Sequence, residues 1–467
     1  MTATSDLFCA QLFLDDTHIE HSLWLTRQWH QPRKFPQPVL VAEHPWERWC
    51  PVMFGSVLHW DGLYRMWYVG WTREPRPRAC YAESEDGVIW RKPWLGTCEL
   101  DGSRDNNVVL QSSLGPEGLI DDLTVIHDPD DADWPLKMLY WQSGGIHAAR
   151  SCDAIHWDTT PGNVLPGWGD RFNAVPTRHD GKYVVFGRAP TRDGGRGRRV
   201  WRTESPDLAT WSEPELVLAP DVEDPRYMQY YSMVPFVYEG LVLGGLERMY
   251  VSPDKLDTEL IFSRDGRTWQ RSRPRPAFLT WGAEGAFDST WVNLSASAPV
   301  RHSGLLWFYY SGRAGAHGAP APMNYGAIGL CSLRVDGFAS LVAYGKAGLL
   351  VTPVVEWPDA ELAVNFDPRP DTASHPGDQV GELRVEVRDE SGLALAGYAF
   401  DQCTPLVQNT WRDEDSSRTV LWEGGASARA LAGRRVHLAF RLRDGHLYSF
   451  RARRPADPTL GGTSRVA

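Results

Sequence analysis

Short apolar, aromatic-rich runs broken by polar turns fill most of the chain, and the runs fall into groups. The first group reads VMFGSVLHWDGLYRMWYVGW, then RACYAESEDG; the second reads LTVIHDP, LKMLYWQSG and GIHAARSCDA. The third reads FNAVPTRHDGKYVVFGRA and RVWRTESPD, the fourth YSMVPFVYEGLVLGGLE and TELIFSRDG, and the fifth WVNLSASAPV, GLLWFYYSGR and AIGLCSLRVDG. Runs of this length, rich in Val, Ile, Tyr, Phe and Trp and bounded by Asp-Gly, predict strands rather than helices. Trp60-Asp61-Gly62 and His179-Asp180-Gly181 predict tight hairpins, because Asp-Gly tolerates the positive φ such turns require. Nothing reads as a long helix.

The groups end on one phrase. SEDGVIW (84–90), SCDAIHW (151–157), SPDLATW (205–211) and SRDGRTW (263–269) place Asp86, Asp153, Asp207 and Asp265 at intervals of 67, 54 and 58 residues. A degraded fifth copy, SLRVDGFASL, spans 332–341. Four short strands repeated at this period predict a propeller blade, so the chain is expected to be all-β, with a five-bladed β-propeller over 1–350. After residue 350 the pattern becomes plain alternation, as in GELRVEVRDESGLALAGYAF and RRVHLAFRLRDGHLYSFRAR. Half-buried strands alternate this way, so 351–467 is expected to hold a β-sandwich, with a Pro/Asp-rich loop over 367–377 and a loose tail from 456.

Composition sharpens this picture in three ways. Of 467 residues, 12% are aromatic and 22 are Trp, which suits inter-sheet packing and stacking on sugar rings. The net charge of −11 argues against a nucleic-acid or anionic-membrane partner. The 7 Cys contain no CxxC pair, so neither zinc nor a disulfide framework is expected. No basic segment followed by a long apolar run opens the chain, and the expected location is cytoplasmic. Nothing in the sequence sets the oligomeric state.

In a propeller the innermost strands line one channel, so the head of each group matters. The heads offer Asp121 and Asp122, Asp170 and Arg171, Asp224 and Tyr230, and Glu284, Asp288 and Trp291, with Glu47 and Arg48 in the first. Arg188 and Glu247 close apolar runs with a charge, which must be paired, solvated or functional. Carboxylates from different blades could supply the acid and the nucleophile or base of glycoside hydrolysis. Asp121, Asp170, Asp288 and Glu247 are the expected catalytic set. Asp122, Arg171, Arg188, Tyr230, Glu284 and Trp291 are the expected contacts to a small carbohydrate. The repeated turn Asp residues are expected to be scaffold.

The segments LFLDDTHIE (12–20), LTRQWHQPRK (25–34), RDNNVVL (104–110), TESPDLATWSEPELVLAP (203–220), ELIFSRDGRTWQR (259–271), FDSTWVNLSASAPV (287–300) and LYSFR (447–451) carry a resemblance. The chain resembles the five-bladed propeller glycosidases of the family 32, 43 and 68 type, most closely bacterial "family 32 N-terminal domain-like" proteins. The resemblance implies a propeller followed by a sandwich, and a glycoside hydrolase or transglycosidase acting on a furanosidic or small oligosaccharide substrate. The Asn-Asp-Pro-Asn-Gly, Arg-Asp-Pro and Glu-Cys motifs of the family 32 enzymes are absent, so their residue roles do not transfer. The alternative is a carbohydrate-binding propeller without catalysis. A phosphorylase on the same frame would draw on Arg171, Arg188, His127 and His147. No cofactor and no dedicated metal loop is expected, although propellers of this type can hold a structural Ca2+ among channel carboxylates.

Overall fold

The computed structural model describes residues 6–72, 76–115, 118–190, 197–317, 325–368, 381–411 and 416–454. Every regular element among them is a strand or a short 3-10 turn, so the chain is all-β. It divides into two compact units. One comprises 31–300 and 307–332; the other comprises 1–30, 301–306 and 333–467. The chain thus crosses between units at several points rather than once at residue 350, because N-terminal strands pair with C-terminal ones.

The larger unit contains four sheets in chain order, the last of nine strands; its two antiparallel groups, called sheets four and five below, are joined by one parallel bridge, Leu256 to Trp291. Sheet one holds Cys50–Trp60, Leu63–Trp71, Arg78–Ser84 and Val108–Leu110; sheet two holds Leu123–His127, Leu136–Gln142, Gly145–Ser151 and Asp158–Pro166. Sheet three holds Asn173–Ala174, Tyr183–Gly187, Val200–Ser205 and Glu215–Leu218. Sheet four holds Met228–Tyr238, Leu241–Tyr250, Lys255–Ser263 and Gln270–Arg271. Sheet five starts with Trp291–Leu294, Leu305–Arg313 and Gly326–Arg334, and is completed by Arg33–Lys34 from the start of the chain. The predicted hairpins are present: Asp61 and Gly62 have φ of 51° and 77°, Asp180 and Gly181 of 50° and 72°.

Successive sheets bury apolar faces against each other. Val52, Trp67, Leu123 and Met138 share one cluster, Leu139, Ile146, Phe172 and Val185 a second, and Phe186, Val200, Met233 and Ile261 a third. Polar side chains on the first strands stitch neighbours together. Ser56 Oγ accepts from Val125 N at 2.9 Å, and Thr124 Oγ1 from Ala174 N at 3.3 Å. Asn173 Nδ2 donates to Ser232 Oγ at 2.9 Å. Sheet five returns to sheet one: Ser56 Oγ donates to Ala296 O at 2.6 Å, and Ala296 N to Gly55 O at 2.7 Å.

The repeated phrase is one repeated turn. In each copy the Ser hydroxyl bonds the Asp carboxylate, whose Oδ1 accepts two N–H groups further along, 2.8–2.9 Å away in the second copy. The residue after each Asp is left-handed: Gly87, Ala154, Leu208 and Gly266 have φ of 74°, 74°, 63° and 64°. Its carbonyl is a latch between sheets in the first two copies. Tyr309 OH of sheet five donates to Gly87 O at 2.8 Å, and Trp67 Nε1 of sheet one to Ala154 O at 3.0 Å. The degraded copy differs. Asp336 is fully buried in the smaller unit and accepts Ser449 Oγ at 2.7 Å and Arg451 Nη2 at 3.1 Å.

The smaller unit has two antiparallel sheets. One runs Thr26–Trp29, Ala339–Ala343, Gly445–Arg453, Glu361–Asp367, Arg418–Thr419, with Gln11–Leu12 beside Gly445–Arg453. The other runs His21–Leu23, Gly348–Val351, Arg435–Arg443, Val355–Glu356, with Glu382–Arg388 also on Arg435–Arg443. Phe13, Trp357, Phe366, Val385, Trp422, Phe440 and Phe450 from both share one core. The expected tail from 456 and all but the first two residues of the expected 367–377 loop lie outside the described residues.

Candidate functional site

Asp121 and Asp122 stand immediately before the first strand of sheet two, and Asp170 and Arg171 just before that of sheet three. Arg171 is 1% exposed and left-handed at φ 54°, a conformation costly for a residue with a Cβ unless neighbours enforce it. Asp122 does so. Its Oδ2 accepts the Arg171 backbone N–H at 2.6 Å, and its Oδ1 accepts Nη1 at 3.0 Å. The other edge of the guanidinium grips Glu247 of sheet four, with Nε on Oε2 at 3.0 Å and Nη2 on Oε1. The Phe54 ring lies 4.2 Å away. One arginine therefore ties three sheets together and neutralises two carboxylates. Burial would lower its pKa, but Glu247 and Asp122 more than offset this and hold Arg171 firmly ionised.

Asp121 is different. Its Oδ1 is buried and has no hydrogen-bond partner. Burial pushes its carboxyl above the ordinary aspartate range, while Arg171, Arg313 and Arg188 pull the other way. The adjacent Asp122 carboxyl is also raised by burial. Both Asp122 oxygens already accept from Arg171, whereas Asp121 Oδ1 has no partner, and the two carboxyls titrate as a pair. Arg188 Nε donates to Asp170 O at 2.9 Å and its guanidinium pairs with the Asp170 carboxylate, which is 40% exposed.

Tyr231 and Arg313, which interact electrostatically with Asp121, and several groups packed on them were not singled out by the sequence. Tyr231, not Tyr230, faces this side of its strand: its ring meets Trp291 edge-on at 5.1 Å and lies 5.3 Å from the Arg198 guanidinium. Trp291 stacks on His317 at 5.0 Å and lies 4.4 Å from the Arg313 guanidinium. His317 N donates to Asp254 Oδ2 at 2.8 Å. Arg313 closes its apolar strand as Glu247 sits near the end of the matching strand in sheet four and Arg188 follows that of sheet three. Reading sheet five by the same rule finds it.

The remaining expected residues go elsewhere. Asp288 is 3% exposed and bonded to Lys34 Nζ and to Tyr310 OH at 3.0 Å. Tyr230 OH donates to Asp224 at 2.6 Å, inside an ion network with Arg271 and Glu259. Glu284 is exposed on a turn. Glu47 is fully buried and paired with Lys92 at 2.8 Å. His147 meets Gln142 and Tyr140 rather than an arginine cluster, and His127 is a half-buried strand-end residue. Among the described residues no three His, Cys, Asp or Glu side chains are grouped to hold a metal ion. Asp122 and Glu247, the natural carboxylate ligands, already hold Arg171.

No protein-family model matches the chain, and no curated protein matches it in sequence. Solved structures do. A protein described as a glycoside hydrolase is 15% identical, with 64% of this chain and 92% of that one covered at a TM-score of 0.44. A β-1,2-mannobiose phosphorylase from Listeria innocua is 14% identical, with 65% and 97% covered at 0.45. The α-L-arabinofuranosidase PaAbf62A from Podospora anserina is 11% identical, with 65% and 96% covered at 0.43. The chain is similar to these structures; at such identities their activities are not carried across.

Proposed function

We propose that the larger unit is a five-bladed propeller, that the smaller is a β-sandwich, and that the chain cleaves glycosidic bonds in a furanosidic or small oligosaccharide substrate. The closure of sheet five onto sheet one, and of Arg33–Lys34 onto sheet five, supports the ring. The observation that carries the activity is Asp121, whose buried Oδ1 has no partner while its neighbouring carboxylates are bonded to arginine. A carboxyl whose pKa burial raises is suited to give a proton to a leaving oxygen.

In this reading the Asp121 proton moves to the glycosidic oxygen as the C–O bond breaks. Water adds to the anomeric carbon and gives its proton to Asp170, the half-exposed carboxylate at the same group. Arg171 fixes the frame, and Asp122 and Glu247 are positioning residues that hold Arg171. Trp291, expected as a sugar contact, is fully buried against His317 and Arg313 and instead backs the site.

The binding-only alternative draws on one observation: two of the expected catalytic carboxylates are occupied by arginines. A screen of aryl furanosides and pyranosides, run on the wild type and Asp121→Asn, separates the readings. Turnover that is lost in the variant while sugar binding persists supports the enzyme. Sugar binding with no turnover of any glycoside supports the binding protein.

A further inference from the structure

Arg313, which acts electrostatically on Asp121, and Arg198, which packs on Tyr231, form no ion pair among the described residues. Arg313 is 2% exposed, and neither Nη1 nor Nη2 has a hydrogen-bond partner. Its guanidinium is confined by the rings of Trp71 at 5.3 Å and Trp291 at 4.4 Å. Arg198 donates Nη1 to neutral groups, Gln229 Oε1 at 2.9 Å and Met249 Sδ at 3.7 Å, and its buried Nε is unpartnered. Both lie within electrostatic reach of His317, as does Arg188. The acids facing the group are Asp121, Asp254 and Asp170. Asp170 is paired with Arg188; Asp254 accepts the His317 N–H on Oδ2, and Asp121 and Asp254 each keep a buried Oδ1 without a partner, so none of the three is bonded to Arg313. A buried guanidinium with two empty donors is costly unless something accepts from it.

We infer that Arg313 and Arg198, with His317, form a subsite for an oxyanion, the carboxylate or phosphate of a sugar substrate or a free phosphate ion. Planar, bidentate recognition of such groups is what a guanidinium confined between rings is built for. The inference rests on the carbohydrate-cleaving reading and deepens it: it makes the preferred substrate an acidic sugar, or phosphate the second ligand. Trp71 and Trp291 flank the guanidinium, so occupancy is readable without turnover.

The test is equilibrium binding followed by tryptophan fluorescence, with inorganic phosphate, glucuronate and glucose as probes. It is run on the full chain as wild type, Asp121→Asn, Arg313→Gln and Arg198→Gln. The expected result is saturable binding of phosphate or glucuronate but not glucose, weakened about tenfold or more in Arg313→Gln. Arg198→Gln, on a half-buried residue, gives the same direction should Arg313→Gln fail to fold. Phosphate binding alone identifies a free or ester phosphate, and glucuronate binding alone a uronate. No saturation by either anion at tens of millimolar, or unchanged binding in both arginine variants, overturns the subsite. Anion binding that survives in Asp121→Asn keeps the subsite whatever becomes of Asp121 as the acid.

Discussion

Arg171 Nε sits 3.0 Å from Glu247 Oε2, and its Nη2 bonds the other carboxylate oxygen, joining sheets three and four through one fully buried ion pair. The pair removes Glu247 from the set of free acids. Replacing Glu247 by Ala leaves Arg171 buried with one carboxylate and is expected to cost about 3–5 kcal/mol of stability. Glu247→Gln keeps one acceptor and costs less. Denaturant unfolding of both variants measures this. A catalytic acid would instead lose turnover in Glu247→Gln with stability unchanged.

Activity is expected to fall on the alkaline side as Asp121 loses its proton. Burial raises its folded pKa, so the limb lies above the ordinary carboxylate range. Arg188 pulls that pKa down. Arg188→Met is therefore expected to move the alkaline limb of kcat/KM to higher pH, and a full pH–rate profile of both proteins reads the shift. For stability the sign is the reverse of a salt-bridged acid. The folded state binds the extra proton, so the carboxyl favours folding less as pH rises through the interval between its unfolded and folded pKa.

The four turn aspartates are scaffold, and their replacement is expected to lower stability while sparing KM. Asp265→Ala removes acceptors for the Arg267 and Thr268 N–H groups, at 2.8 and 2.7 Å, and is expected to cost about 1–2 kcal/mol. Asp86 and Asp207 are held below the usual aspartate range by backbone N–H donors. Their stabilisation is present above the ordinary aspartate pKa and is lost as pH falls through the folded value. Thermal melts of wild type and Asp265→Ala across acid pH, beside sugar-binding titrations, check both halves.

The repeated phrase made the sheets legible. A Ser-x-Asp turn with a left-handed residue after it is fixed by local hydrogen bonds, so its sequence survives as a pattern, and Asp86, Asp153, Asp207 and Asp265 count out four sheets. Arg33–Lys34 as the closing strand of sheet five left no such mark, because two residues carry no periodicity. Residues of the candidate site were legible where a rule was local. Asp121, Arg171 and Arg188 were found at strand heads and ends. Asp288 obeyed the same head rule but is consumed by Tyr310 and by Lys34, the latter far away in sequence. Tyr230 and Tyr231 are adjacent, and only strand register decides which faces Trp291. His317 follows no repeat and reached the site through ring stacking alone.

Asp121 as proton donor is tested most directly by the leaving-group dependence of hydrolysis in Asp121→Asn. Turnover of a series of aryl glycosides with leaving phenols of increasing pKa is compared between wild type and variant. The account predicts a loss of about 10²–10⁴-fold for the most basic phenols, shrinking toward none for the most acidic, which need no proton. A variant that hydrolyses every member at the wild-type rate would contradict it.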